Sequence, residues 1–155
     1  MIVLKNIRTN ERLSQETHCY SADLWFQGRK IGIVSNAGHG GCDEFLGNQD
    51  DWNAANAWCE ANLPTWDCNG TPTPTDLEIQ CGELVNEHLM RKELTKLLGK
   101  HIVGLVDGEL RTWTPKNKAK PTDAHFVQIA KIQPTATILN TLAFDDALVI
   151  FRQAA

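Results

Sequence analysis

The alternation of apolar and polar positions through the first third of the chain predicts strands. Residues 1–7 are apolar-rich, and residues 20–26 and 30–34 are further strand candidates. Gln27-Gly28-Arg29 between the last two is a short connection containing glycine, which predicts a hairpin. Residues 35–42, which carry Gly38, Gly40 and Gly41, are expected to be irregular. Asp50 or Asp51 is placed to cap a helix running to about residue 61, with Trp52, Ala55 and Cys59 on one face. Proline and glycine punctuate residues 63–74, predicting a loop.

The clearest helical pattern runs from a Thr75 cap to about Leu98. Thr75-Asp76-Leu77-Glu78 matches a capping box, and Gly99 is placed to end the helix. Leu77, Cys81, Leu84, Val85, His88 and Leu89 form its apolar stripe, which turns Cys81 and His88 toward the core. Asp107-Gly108, between residues 101–106 and 109–114, is the strongest hairpin signal in the chain. Residues 116–121 form a basic loop ended by proline, and residues 124–132 alternate as a strand would. Residues 135–142 fit neither template, and residues 144–154 predict a terminal helix opened by Phe144-Asp145-Asp146. Strands, then two helices, then strands and a helix predict an α+β fold. We expect a mainly antiparallel sheet with two or three helices packed on one face, as a single domain over residues 1–155.

With 155 residues, 42% hydrophobic and 22% charged, the chain can bury a core and is too apolar for disorder. It has no apolar run approaching the roughly 20 residues of a membrane helix. The N-terminal segment MIVLKNIRTNERL lacks a cationic leader followed by an apolar stretch, so a cytoplasmic location is expected. The five cysteines, Cys19, Cys42, Cys59, Cys68 and Cys81, then read as reduced, mostly buried thiols. No C-x-x-C pair announces zinc; the nearest spacing is His39-Gly40-Gly41-Cys42.

Charge is segregated along the sequence. Residues 1–30 carry net +2, residues 31–90 contain ten acids and no Lys or Arg, and residues 91–155 carry net +4, for a total of −4. Asp76 and Glu78 at the start of a helix that ends in Arg91, Lys92 and Lys96 complement the helix dipole. Asp43, Glu44, Asp50 and Asp51 are not accounted for in this way, and they predict an acidic face. Trp52, Trp58 and Trp66 lie in the same block and are candidate anchors against a cationic surface.

The glycine loop is the other candidate site. Amides at Gly38, Gly40 and Gly41, with the side chains of Asn36 and His39, could bind an anion, although Asp43 and Glu44 just beyond would repel it. The loop matches neither phosphate-binding glycine motif, and a tight turn pegged to the sheet by Asn36 and His39 explains it more simply. A Cys42 nucleophile with His39 as base is disfavoured by the same acids, which raise a thiol pKa. Lys116, Lys118 and Lys120, with Arg111 and Trp113, form one basic segment, but the total charge weighs against direct nucleic-acid binding.

The segment Ser14-Gln15-Glu16-Thr17-His18-Cys19-Tyr20-Ser21-Ala22-Asp23-Leu24 carries a resemblance. With Gly28, Ile31-Gly32 and Ser35-Asn36-Ala37-Gly38-His39-Gly40-Gly41, it resembles a family of small accessory proteins of bacteriophages and prophages. Ile138-Leu139-Asn140-Thr141-Leu142 and Phe144-Asp145-Asp146-Ala147-Leu148 are similar to that family's C-terminal segment. No activity comes with the motif, so no catalytic residue is carried over. The resemblance implies an accessory role in the host cytoplasm, where small phage proteins often block host defence complexes by binding them.

The leading expectation is therefore a non-enzymatic, stoichiometric inhibitor of the anti-CRISPR or anti-defence kind. It would occupy the basic groove of a host protein or ribonucleoprotein complex through Asp43, Glu44, Asp50, Asp51 and Trp52. No catalytic residue, cofactor, metal or membrane partner is expected. The alternatives are a small-ligand or metal-assisted enzyme centred on residues 36–42, and direct nucleic-acid binding through residues 111–120.

Overall fold

The computed structural model describes residues 1–154. It has the expected α+β fold: among these residues there are four α-helices and nine strands, 41% helical and 29% strand, with every sheet antiparallel. The chain divides into two compact units, residues 1–88 and residues 89–155. The boundary coincides with the charge segregation. The first unit has five Lys and Arg against thirteen Asp and Glu, net −8, and the second has ten against six, net +4.

The first unit is built on a four-stranded meander, β1 (Ile2–Thr9), β2 (Tyr20–Phe26), β3 (Arg29–Asn36) and β4 (Glu44–Gly47), in spatial order of sequence. Period-two burial sets the register: Tyr20, Ala22 and Leu24 of β2 are buried, while Ser21 between them is exposed. The expected β2–β3 hairpin is present, turning on Gln27 and Gly28, both at positive φ as a tight primed turn requires.

Helix α1 (Gln49–Asn62) buries Ala55 and Cys59. Its cap is Asn48, whose side chain accepts from the Asp50 N–H at 2.8 Å, so Asp50 and Asp51 sit in the first turn rather than at the expected cap. Residues 63–74, expected as a loop, contain a small hairpin of β5 (Trp66–Cys68) and β6 (Thr71–Thr73). Asn69 and Gly70 make its turn, both at positive φ. Helix α2 (Leu77–Leu98) follows and contributes residues to both units. Here the cap lies one residue beyond its expected place: Asp76 Oδ1 accepts the Ile79 N–H at 2.8 Å, while the Thr75 hydroxyl donates to the Pro64 carbonyl. Leu77, Cys81 and Val85 are its buried stripe in the first unit, and His88 is half-buried.

In the second unit β7 (Ile102–Val106) lies between β8 (Glu109–Trp113) and the short β9 (Thr137–Ile138). Asp107-Gly108 turns the predicted β7–β8 hairpin. Residues 124–132, expected as a strand, belong to helix α3 (Asp123–Ile132). The Thr122 and His125 side chains form a reciprocal capping box at its start. Phe126 and Ile129, three apart, turn inward, whereas Val127 is 55% exposed, so the apparent alternation was incidental. Residues 139–141 form one 3-10 turn before α4 (Phe144–Ala154), the predicted terminal helix. Leu94, Val103, Leu139, Ala147, Leu148 and Phe151 make this unit's main core. A second cluster of Ile102, Ile129 and Ile138 packs with Trp113 and Phe126.

Candidate acidic cavity

Asn36 ends β3 and faces inward with 8% of its surface exposed. An amide buried there must satisfy two acceptor and two donor sites, and all four are used. Its Oδ1 accepts from the Thr17 hydroxyl at 2.7 Å and the Gly38 N–H at 2.8 Å. Its Nδ2 donates to the Gly41 carbonyl at 2.9 Å and to Asp43 Oδ1 at 3.0 Å. The glycine loop is thereby fastened to the sheet. Gly38 has positive φ, and a Cβ on it would lie 2.3 Å from the Leu13 carbonyl oxygen, so only glycine fits.

This arrangement changes the reading of the loop. The Gly38 N–H is spent on Asn36, and the Gly40 N–H donates to the Thr17 hydroxyl, so two of the three amides expected for an anion are already engaged. Asn36 is the expected peg, but His39 is exposed and takes no part in that role. Cys42 is also exposed.

Beyond the loop, Asp43 bridges sheet and helix. Its second carboxylate oxygen accepts from the Tyr20 hydroxyl, and its N–H donates to Glu78 Oε1 on the first turn of α2 at 3.0 Å. Tyr20 is buried; burial first, and then the bond to Asp43, hold its hydroxyl far above the usual pKa. It therefore stays a proton donor to Asp43 throughout the physiological range.

These groups line an open cavity of about 460 Å³. Asp43, Asp76 and Glu78 stand around it with Tyr20 and Asn36, while Ile79 and Val85 supply an apolar wall. No Lys or Arg lines it. The summed field of the three carboxylates reaches Cys81: burial pushes that thiol up first, and Asp43, Glu78 and Asp76 each push it further. Among the described residues, no group of three or more His, Cys, Asp or Glu is placed to hold a metal ion.

The predicted acidic quartet is divided by the fold. Asp43 enters the cavity, and Glu44 and Asp50 are exposed. Asp51 forms a two-pronged ion pair with Arg29 at 2.6 and 3.1 Å. Trp52 is half-buried against Phe45, with ring centroids 5.0 Å apart, and Trp58 packs on Phe26, leaving Trp66 the most exposed of the acidic block's tryptophans at 41%. Lys116, Lys118 and Lys120 are exposed, but Trp113 beside them is committed to the Ile102, Ile129 and Ile138 cluster rather than offered for base stacking.

Sequence reasoning missed Tyr20, Thr17 and His18 as cavity residues, and it credited Asp76 and Glu78 to the helix dipole alone. The available signal was Gly82, a glycine well inside a strongly predicted helix. Compared with known proteins, the chain matches no family model, and no curated protein or solved structure shows significant similarity to it.

Proposed function

We propose that this chain is a stoichiometric binding protein that occupies a basic, nucleic-acid-handling surface of a host protein or ribonucleoprotein complex. It would act as an inhibitor of the anti-CRISPR or anti-defence kind. The observation that carries this reading is the charge of the first unit: net −8, with no Lys or Arg after Lys30. A field of that sign accelerates encounter with a cationic surface and competes with a phosphate backbone for it. The contact centre moves from the original quartet to Asp43, Asp76 and Glu78 at the cavity, with Glu44 and Asp50 exposed on the same unit. The resemblance carried by residues 14–24, Gly28, residues 31–32 and 35–41, and residues 138–142 and 144–148 to small bacteriophage and prophage proteins would supply the context, a host cytoplasm. No helix among the described residues is long and apolar enough to cross a membrane.

The test is capture from nuclease-treated bacterial lysate by the wild type and by a variant carrying Glu44→Gln, Asp50→Asn, Asp76→Asn and Glu78→Gln. These changes keep the shape and hydrogen-bonding oxygen of each side chain while removing its charge. A nucleic-acid-handling complex held by the wild type alone, and released by added duplex DNA or RNA, is the expected result. Capture that is indifferent to the four changes and to competing nucleic acid would overturn the reading.

A further inference from the structure

Gly82 lies in the sixth position of the 22-residue helix α2 and lines the acidic cavity. Glycine weakens a helix interior relative to alanine, so a position inside a long helix has a reason to avoid it. Packing supplies no reason for it here: a Cβ built on Gly82 meets nothing within 4 Å, and its φ is not in the left-handed region. The missing side chain leaves room in the cavity.

We propose that this cavity is a binding site for a guanidinium group on an alkyl stem, with Gly82 keeping the entry open. This inference deepens the binding reading above and rests on it for the source of the ligand. Three features select the ligand class. Asp43, Asp76 and Glu78 line the space with no Lys or Arg among the lining residues, which selects positive charge. Among the described residues no three such side chains are placed to hold a metal ion, so a planar fork of five N–H donors suits these acids better than a compact ion. Ile79 and Val85 along α2 give the alkyl stem an apolar wall. The cavity volume, about 460 Å³, falls within the range of about 300–1,000 Å³ usual for small-ligand sites.

The existing hydrogen bonds leave acceptors for such a group. Glu78 uses Oε1 for the Asp43 N–H, and Asp76 uses Oδ1 for the Ile79 N–H. Each keeps its second carboxylate oxygen for a donor from the ligand. Asp43 is held in place by Tyr20 and Asn36, so its charge is pre-positioned without a mobile side chain to order.

The experiment titrates full-length protein with arginine amide, with lysine amide, and with an end-blocked Gly-Arg-Gly peptide, following backbone amide shifts by NMR. Saturable shifts at Tyr20, Asp43, Ile79 and Gly82 are expected with the arginine probes, with weaker binding of lysine amide. Gly82→Leu, which fills the entry, should weaken binding by about tenfold or more. Gly82→Ala should raise the melting temperature, which shows that the position tolerates a side chain in the fold. Binding of the peptide but not of arginine amide identifies the source as a partner's side chain; binding of both identifies a site open to a free small molecule. Absence of saturable cavity shifts with either arginine probe overturns the inference, as does undiminished affinity in a folded Gly82→Leu protein. Capture of a basic partner without cavity shifts would leave the binding reading standing and remove this one.

Discussion

Asn36 Nδ2 donates to Asp43 Oδ1 at 3.0 Å, and through this bond a buried amide at the end of β3 fixes a carboxylate at the edge of the acidic cavity. The same amide makes three further hydrogen bonds, to Thr17, Gly38 and Gly41. Asn36→Ala should therefore cost about 3 kcal/mol of unfolding free energy, at about 1 kcal/mol per bond less some relaxation, as measured by urea denaturation. Asn36→Asp replaces two donors by acceptors facing Asp43 and the Gly41 carbonyl. It should be destabilised at neutral pH, and because burial beside Asp43 raises the new carboxyl's pKa, stability should recover in part as the pH falls toward the unfolded value of about 4, where protonation restores a donor. Wild-type stability in both variants would show that the amide does not organise the loop.

The thiols should separate by burial. Cys59 and Cys81 are fully buried; burial pushes Cys59 up to about 11 and Cys81 further still. Cys42 is exposed. Ellman's reagent at pH 8 should modify Cys42 in the native protein and reach Cys59 and Cys81 only after unfolding. Rapid native modification of Cys81, located by peptide mass spectrometry, would contradict this burial.

Two surface pairs carry a pH signature. The hydrogen bonds from Arg29 hold the Asp51 carboxyl below its ordinary range, and those from Lys30 and Asn6 do the same for Asp23. A carboxylate with a lowered folded pKa adds stability that is present above its unfolded value, about 4. That stability is lost as the pH falls through the lowered folded value. Carboxyl titration by NMR should place both groups below the ordinary aspartate value of about 4, and Asp51→Asn should erase the corresponding part of the acid-side stability loss. Both pairs are solvent-exposed, so their contribution should shrink with added salt.

Asn140 does for the second unit what Asn36 does for the first. Its Oδ1 accepts the Val103 N–H at 2.7 Å, and its Nδ2 donates to the His101 carbonyl at 3.0 Å and the Leu98 carbonyl at 3.3 Å. Asn140→Ala should cost about 2 kcal/mol by chemical denaturation, because it leaves a strand N–H and a helix-end carbonyl short of partners. A loss within about 0.5 kcal/mol, the range of ordinary surface substitutions, would show that water replaces the side chain without cost.

The legible parts of the fold were those written in local periodicity and turn chemistry. The alternation at residues 20–26 and the Asp107-Gly108 dipeptide give their strands directly, and the terminal helix over residues 144–154 was equally plain. Asn69-Gly70 carried the same turn signal as Asp107-Gly108, but the flanking strands are three residues each and contain Pro72, too short to show alternation. For residues 124–132 the deciding feature was the Thr122–His125 cap, which is less conspicuous than a Ser or Thr with Glu three residues on. The cavity could not be read locally. Tyr20, Asn36, Asp43 and Glu78 meet only because β2, β3, the glycine loop and α2 converge, and sequence spacing holds no record of that convergence.

The most direct measurement is the salt dependence of affinity between the purified chain and the nucleic-acid-handling complex that it captures, for the wild type and the four-acid variant. The account predicts a wild-type affinity that falls by about tenfold or more from low to physiological ionic strength, mostly through the association rate. The variant should bind weakly and show a much flatter salt response. Equal affinities for the two proteins, unchanged by salt, would contradict recognition through the acidic unit.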